Sequence, residues 1–126
     1  MKRDEELRQQ FFQRVMDALS NPTRTEILQL LSKNERELSF TEIKKELGIR
    51  NNAALSHHLN KLQRACLIKQ IEELGDPQTT NDPYRSFYSM TSFGKALLPY
   101  LQSIQDTIKQ VGPILDKALV AAFSSI

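Results

Sequence analysis

Leu7, Phe11, Val15 and Leu19 recur every four positions, with Phe12 and Met16 beside them. That spacing predicts a helix over 4–19 with one apolar face. Asp4, Glu5 and Glu6 suit its positive N-terminal end. Ser20-Asn21-Pro22 then stops the pattern and restarts it. Asn21 can cap, and Pro22 fits a first helical position, where its missing N–H costs nothing. The second helix is expected to run to about position 32 and to bury Ile27, Leu30 and Leu31. After an extended link at Leu38-Ser39-Phe40, Thr41 reads as the cap of a short helix with Ile43 and Leu47 one turn apart. Gly48 ends it, as glycine does where the chain must turn left-handed, and Ile49 is expected to pack inward. Asn51 or Asn52 caps the next helix, which carries Leu55, Leu59 and Leu62 at i, i+4 and i+7. Two short helices joined by a glycine turn form a helix-turn-helix unit.

From Leu67 the period changes. Leu67 to Leu74 is rich in β-branched residues and ends at Gly75-Asp76-Pro77, and Tyr84 to Met90 alternates with aromatics. Two strands joined by a polar loop directly behind a helix-turn-helix read as a wing. Thr91 caps a long last helix in which Leu97, Leu101, Ile104, Ile108, Val111 and Leu115 step by four and three. That is a heptad seam, continued weakly by Ala118 and Ala122, and it predicts self-association. Pro113 is expected to kink or break the helix. The fold expected is mostly α with a small β-hairpin: a winged helix-turn-helix with long N- and C-terminal dimerisation helices.

The 126 residues suit a single domain, and a hydrophobic fraction of 40% with 25% charged residues is ordinary for a globular chain. No apolar run approaches the ~20 residues of a membrane helix, and no signal-peptide pattern opens the chain, so a cytoplasmic protein with no membrane partner is expected. The net charge of +2 matters less than its distribution. Between 41 and 70, six basic residues (Lys44, Lys45, Arg50, Lys61, Arg64 and Lys69) face only Glu42 and Glu46. Between 71 and 83 the sign reverses, with Glu72, Glu73, Asp76 and Asp82 and no basic residue. A central basic patch is what a phosphate-binding surface needs; the alternative is an ordinary solvated face.

Residues around a helix turn by roughly 100° each, so the free face of the fourth helix can be read directly. His57, Asn60, Lys61 and Arg64 point nearly opposite the leucine stripe, with Ala53; Ser56 and Gln63 lie on one flank and His58 near the other. His and Asn side chains can pair with base edges, Lys and Arg reach guanine or phosphate, and small Ala53 lets the backbone approach a groove. The N–H groups above Asn51 and Asn52 suit a phosphate. The candidate DNA-binding set is Lys44, Lys45, Asn51, Asn52, Ala53, Ser56, His57, Asn60, Lys61 and Arg64, with Arg85 from the wing. The plainer readings are that Lys61 and Arg64 are surface charges and that His58 is a partly buried, hydrogen-bonded structural residue; for His58 the structural role is expected. Adjacent histidines point about 100° apart and cannot share a metal from one helix.

Asp17-Ala18-Leu19-Ser20-Asn21-Pro22-Thr23-Arg24 followed by Ile27-Leu28-Gln29-Leu30-Leu31 resembles the opening of the ArsR/SmtB family of transcriptional repressors. Leu55-Ser56-His57-His58-Leu59-Asn60-Lys61-Leu62 followed by Ala65-Cys66-Leu67-Ile68 resembles that family's recognition helix and its exit into the wing. Thr91, Gly94 and Leu97 are similar to the start of the last helix. The resemblance covers about 12–101 and leaves 102–126 as a helical extension of one winged-helix domain. It implies a homodimer built on the first and last helices, here Phe11 and Val15 with Leu97, Leu101, Ile104, Ile108, Val111 and Leu115. It also implies a repressor on a palindromic duplex operator.

The departures from the family are specific. The stretch Glu37-Leu38-Ser39-Phe40-Thr41-Glu42 has none of the cysteines of metal-sensing members, and the last helix has no histidine. No metal, no cofactor and an unassigned effector are therefore expected. Cys66 stands where the family commonly has glycine, and a left-handed backbone there would strain it by about 1 kcal/mol, so a slightly different turn is expected. Its thiol is expected to be packed and inert rather than redox-active. The acidic wing leaves most of the binding to the fourth helix. It also raises the competing reading, a winged-helix protein–protein interaction module without specific DNA binding. No phosphate loop, His-Glu-x-x-His pattern or nucleophile motif supports an enzyme.

Overall fold

A computed structural model describes residues 2–74 and 84–124, apart from the side chains of 72–74, 84, 85 and 115. The element order is α1 (Lys2–Leu19), α2 (Pro22–Lys33), β1 (Leu38–Ser39), α3 (Phe40–Leu47), α4 (Asn52–Arg64), β2 (Ile68–Leu74), β3 (Tyr84–Met90) and α5 (Ser92–Ser124). The chain divides into two compact units, Met1–Lys95 and Ala96–Ile126.

In the first unit the expected caps are largely in place. Asn21 accepts from the N–H groups of Thr23 and Arg24, with Pro22 at the head of α2. Asn51 accepts from Ala54 N at 3.1 Å and starts α4. Thr91 accepts from Gly94 N at 2.9 Å and starts α5. The α3 cap is one correction: Ser39, not Thr41, holds it. Ser39 Oγ accepts from Glu42 N at 3.1 Å, and the Glu42 carboxylate accepts from Ser39 N at 3.2 Å. This reciprocal capping box satisfies two end donors at once, which Thr41 could not do without an acid three residues on.

The link before α3 is also more than a link. Leu38 and Ser39 pair antiparallel with Tyr88 and Phe87, adding a third strand to the hairpin in the order β1-β3-β2. β2 and β3 pair from Ile68↔Met90 to Leu74↔Tyr84. Ile68, Tyr88 and Met90 are buried on one face, against Ile27, Leu28, Ile43, Leu55, Leu59, Leu62 and Leu67, which are fully buried. Each of these last seven contributes about 1.5–3 kcal/mol by leaving water, so the leucine stripe of α4 is a principal wall of the core. Leu30, expected to be buried, is only half-covered. Val15 is 7% exposed within the chain, and the half-buried Phe11 ring lies 5.6 Å from that of Phe93.

The second unit is the body of α5. The helix continues through both Pro99 and Pro113, so the break expected at Pro113 does not occur. One proline removes one rung of the ladder, and the helix-favouring run Leu115-Asp116-Lys117-Ala118-Leu119 carries it on. Along it Ile104, Ile108, Ile114, Val120 and Phe123 are each more than half exposed. No helix among the described residues is long and apolar enough to cross a membrane.

Candidate nucleic-acid interface

The helix-turn-helix is held by two turns of the same construction. At the end of α3, Gly48 has φ 65°, and Gly48 N and Ile49 N donate to Lys45 O and Lys44 O. At the end of α4, Cys66 has φ 60°, Cys66 N donates to Gln63 O at 2.9 Å, and Leu67 N donates to Leu62 O at 3.0 Å. This is the Schellman pattern, in which the left-handed residue lets its own N–H and that of the next residue satisfy the last helical carbonyls. The expectation that cysteine would alter the turn is therefore overturned: Cys66 adopts the left-handed form, and the two hydrogen bonds offset its strain. Its thiol is exposed rather than packed.

With Leu55, Leu59 and Leu62 buried, α4 turns Ala53, Ser56, His57, Asn60 and Arg64 to solvent. Asn51 and Asn52 are exposed at its start, the Asn51 side-chain oxygen being engaged in the cap. On α3 Lys45 is exposed and Lys44 half-buried. Lys61 departs from the expected free face. It is half-buried, and its Nζ lies 3.2 Å from Asp17 Oδ2 at the end of α1. The Arg85 side chain and the loop 75–83, with Asp76 and Asp82, lie outside the described residues. So does the Leu115 side chain, while Leu97 and Leu101 are half-buried and Ile104, Ile108 and Val111 exposed.

His58 takes the structural place expected of it. It is half-buried, with Nδ1 3.3 Å from Arg24 Nη1. Burial, then the Arg24 cation, then His57 hold its imidazole below the usual histidine value of 6.5, because each disfavours the protonated ring. Toward the wing, Gln63 Nε2 donates to Gln70 Oε1 at 3.1 Å and Gln70 Nε2 donates to Ser86 Oγ at 2.9 Å, a polar chain from α4 across both hairpin strands. Arg36 pairs with Glu42, whose carboxyl is lowered to about 2 by that hydrogen bond and by Ser39 N–H. The acid at the start of α3 is thereby neutralised locally.

Sequence reasoning passed over Arg24, Asp17, Gln70 and Ser86 as members of this assembly. For Arg24 a signal existed: it stands three and four residues before Ile27 and Leu28, on the buried stripe of α2. A cation in that register must find partners inside the fold. Among the described residues no three His, Cys, Asp or Glu side chains converge as a metal site would require.

Residues 19–71 match a family model described as a helix-turn-helix domain. No curated protein matches the chain. Among solved structures, the homodimeric winged helix-turn-helix domain (fragment 1–100) of a possible ArsR-family transcriptional regulator from Mycobacterium bovis is 24% identical. It aligns over 81% of this chain and 84% of its own, with a TM-score of 0.65. The crystal structure of a possible transcriptional regulatory protein (fragment 1–100) from the same organism is 26% identical over 77% and 92% of the two chains, with a TM-score of 0.63. MepR from S. aureus, solved in complex with DNA, is 23% identical over 97% and 93%, with a TM-score of 0.59. The fold is the winged helix-turn-helix of these proteins, and the ArsR/SmtB resemblance read from the sequence fits it.

Proposed function

We propose that this ArsR-like winged helix-turn-helix chain is a sequence-specific DNA-binding transcription regulator. It acts as a repressor on a palindromic operator, binds as a homodimer and responds to no metal. The observation that carries the reading is the division of α4: three leucines fully buried on one side, and Ala53, Ser56, His57, Asn60 and Arg64 exposed on the other. Side chains of those types read base edges and phosphates, and helix N-termini anchor the backbone. In this reading 1–126 is one winged-helix domain with its core at 12–101. The last helix, with its extension 102–126, dimerises through the Leu97-Leu101-Ile104-Ile108-Val111-Leu115 seam, and α1 contributes Phe11 and Val15. A two-fold dimer would set its recognition helices about 34 Å apart, one duplex turn.

The test is selection of duplexes from a random pool by the purified chain, followed by anisotropy titration of the winner over a range of salt. A palindromic consensus and an affinity falling steeply with salt are expected. Replacing His57 or Asn60 by Ala should relax base preference, whereas Lys45→Ala should weaken all sequences alike and reduce the salt slope by about 1. An affinity indifferent to salt, or no retardation of random DNA at micromolar protein, would instead favour a protein-interaction module. That alternative draws on the acidic residues Glu72, Glu73, Asp76 and Asp82 of the wing segment, which phosphate repels.

A further inference from the structure

Arg24 is 6% exposed, yet among the described residues its hydrogen-bond partners include no carboxylate. Its Nε donates to Ala18 O at 2.8 Å and its Nη2 to Asp17 O at 3.0 Å, while Nη1 reaches His58 Nδ1 at 3.3 Å. The two carbonyls belong to the last turn of α1, where the helical ladder runs out; Asp17 O also accepts from Ser20 N at 3.2 Å and Ser20 Oγ at 2.7 Å. They also lie at the negative end of the helix dipole, which is where a buried cation is best placed. A guanidinium has donors and no acceptor. The imidazole nitrogen facing it must therefore be the acceptor, which makes His58 the neutral tautomer with its proton on Nε2.

One side chain thus ties three helices together: the end of α1, its own α2, and α4. A second tie lies close by, where Asp17 Oδ2 meets Lys61 Nζ at 3.2 Å. His58 and Lys61 are three residues apart, one turn of α4, so α4 is held at two successive levels, by Arg24 from α2 and by Asp17 from α1. Two such points define both the position of α4 along its axis and its rotation about it. The rotation matters because a helix with side chains has a radius of about 5–6 Å, so turning it by about 10° moves a side-chain tip by about 1 Å. That displacement removes a base-edge hydrogen bond.

We propose that Arg24 is a positioning residue for base reading, setting the rotation of α4 through His58 and so deciding which bases His57 and Asn60 reach. This rests on the reading of α4 as the DNA-recognition helix. Arg24 is itself too buried to touch DNA, so any effect it has on sequence choice must pass through the packing of α4. A lysine could not replace it, since one ammonium on a flexible stem does not hold three partners in a planar fork.

The experiment compares the full chain with Arg24→Met, His58→Leu, His58→Asn and the Arg24→Met/His58→Leu double variant, each checked for its helical spectrum and cooperative melt. Two probes are used: a duplex selected from a random pool by the wild type, and an unselected random duplex. Loss of the Arg24–His58 bond should lower the ratio of selected to random affinity about tenfold or more, with random-duplex affinity and salt slope unchanged. His58→Asn, which keeps an acceptor near the Nδ1 position, should restore the ratio to within about threefold, and the double variant should be no worse than either single one. Nitrogen-detected NMR of the DNA-free chain should show His58 protonated on Nε2. An Nδ1-protonated His58 overturns the proposal, as does a ratio unchanged in a folded His58→Leu or Arg24→Met chain. A wild type that selects no sequence overturns the regulator reading, and this proposal with it. Selection by the wild type with equal selection by the variants overturns this proposal alone.

Discussion

Gly94 and Gly112 lie in the same helix, and replacing each by alanine should have very different consequences. A Cβ built on Gly94 would stand 2.2 Å from Leu67 O and 3.1 Å from Leu67 C, with Met90 Cε at 3.3 Å. The first two are backbone atoms, so a rotamer change cannot relieve the clash; the first turn of α5 must move by about 1 Å to reach ordinary contact. That turn is hydrogen-bonded to the same place. Thr91 N donates to Leu67 O at 3.1 Å, Thr91 Oγ1 donates to Cys66 O at 2.6 Å, and Gly94 N donates to Thr91 Oγ1 at 2.9 Å. Stretching the two bonds to Leu67 O and Cys66 O by that distance loses about 0.5–1.5 kcal/mol each, against a gain of about 1 kcal/mol in helix propensity. Adding overpacking of about 1–3 kcal/mol, Gly94→Ala should destabilise the chain by about 1–5 kcal/mol, centred near 3.

Urea denaturation followed by circular dichroism measures this directly, and the thermal midpoint should fall by about 10–25 °C for a unit of this size. Gly112→Ala serves as the control. Nothing lies within 4 Å of its added Cβ, so the helix-propensity gain of about 1 kcal/mol is opposed only by crowding before Pro113. Its net effect should be within about 0.5 kcal/mol of zero. A Gly94→Ala chain within about 0.5 kcal/mol of wild type would refute the close approach of α5 to Leu67.

Five further outcomes follow from the geometry. Ser39→Ala should cost about 1 kcal/mol by removing the α3 cap, read from a thermal melt. The Glu42 carboxyl, lowered to about 2 from 4.5, should add a small contribution that is present above 4.5 and lost as the pH falls toward 2, and Glu42→Gln should flatten that part of the pH–stability curve. The His58 imidazole is held below 6.5, so the unfolded chain takes up its proton first; stability is full above 6.5 and declines on acidification below it, a slope that His58→Leu should remove. Cys66→Gly should stabilise by about 0.5–1 kcal/mol in urea melts, because glycine carries no penalty at φ 60°. Asp17→Asn should change stability by less than about 0.5 kcal/mol, since the Asp17 and Lys61 side chains are 55% and 40% exposed, while tightening binding to random DNA by freeing Lys61 for phosphate.

The parts of the fold that were legible are those whose signal lies within one element. The leucine period of α4, the glycine after α3, the capping residues Asn21, Asn51 and Thr91, and the alternation of β3 each state a local preference that the packed chain keeps. The misplaced α3 cap shows how far local reading extends: Ser39 and Thr41 are both good capping types, and only the pairing of Ser39 with Glu42 three residues on distinguishes them. That information was present in the sequence as a capping box. β1 was not legible in the same way. A two-residue strand has no period, and Leu38-Ser39 becomes a strand only because β3 brings Tyr88 and Phe87 beside it.

The candidate site divides along the same line. The exposed face of α4 follows from the buried one by helical geometry, so Ala53, Ser56, His57, Asn60 and Arg64 could be named in advance. Lys61 could not be placed, because its partner Asp17 is 44 positions away on another helix. Arg24 and His58 are separated by 34 positions, and neither periodicity nor propensity relates residues across that distance. What the sequence did show was a demand without an answer: an arginine in the register of Ile27, Leu28 and Leu31, which physical chemistry does not leave buried and unsatisfied. The packed chain answers it with the end of α1 and an imidazole from α4. The histidine pair, whose residues point about 100° apart on α4, therefore divides, His57 toward solvent and His58 toward Arg24.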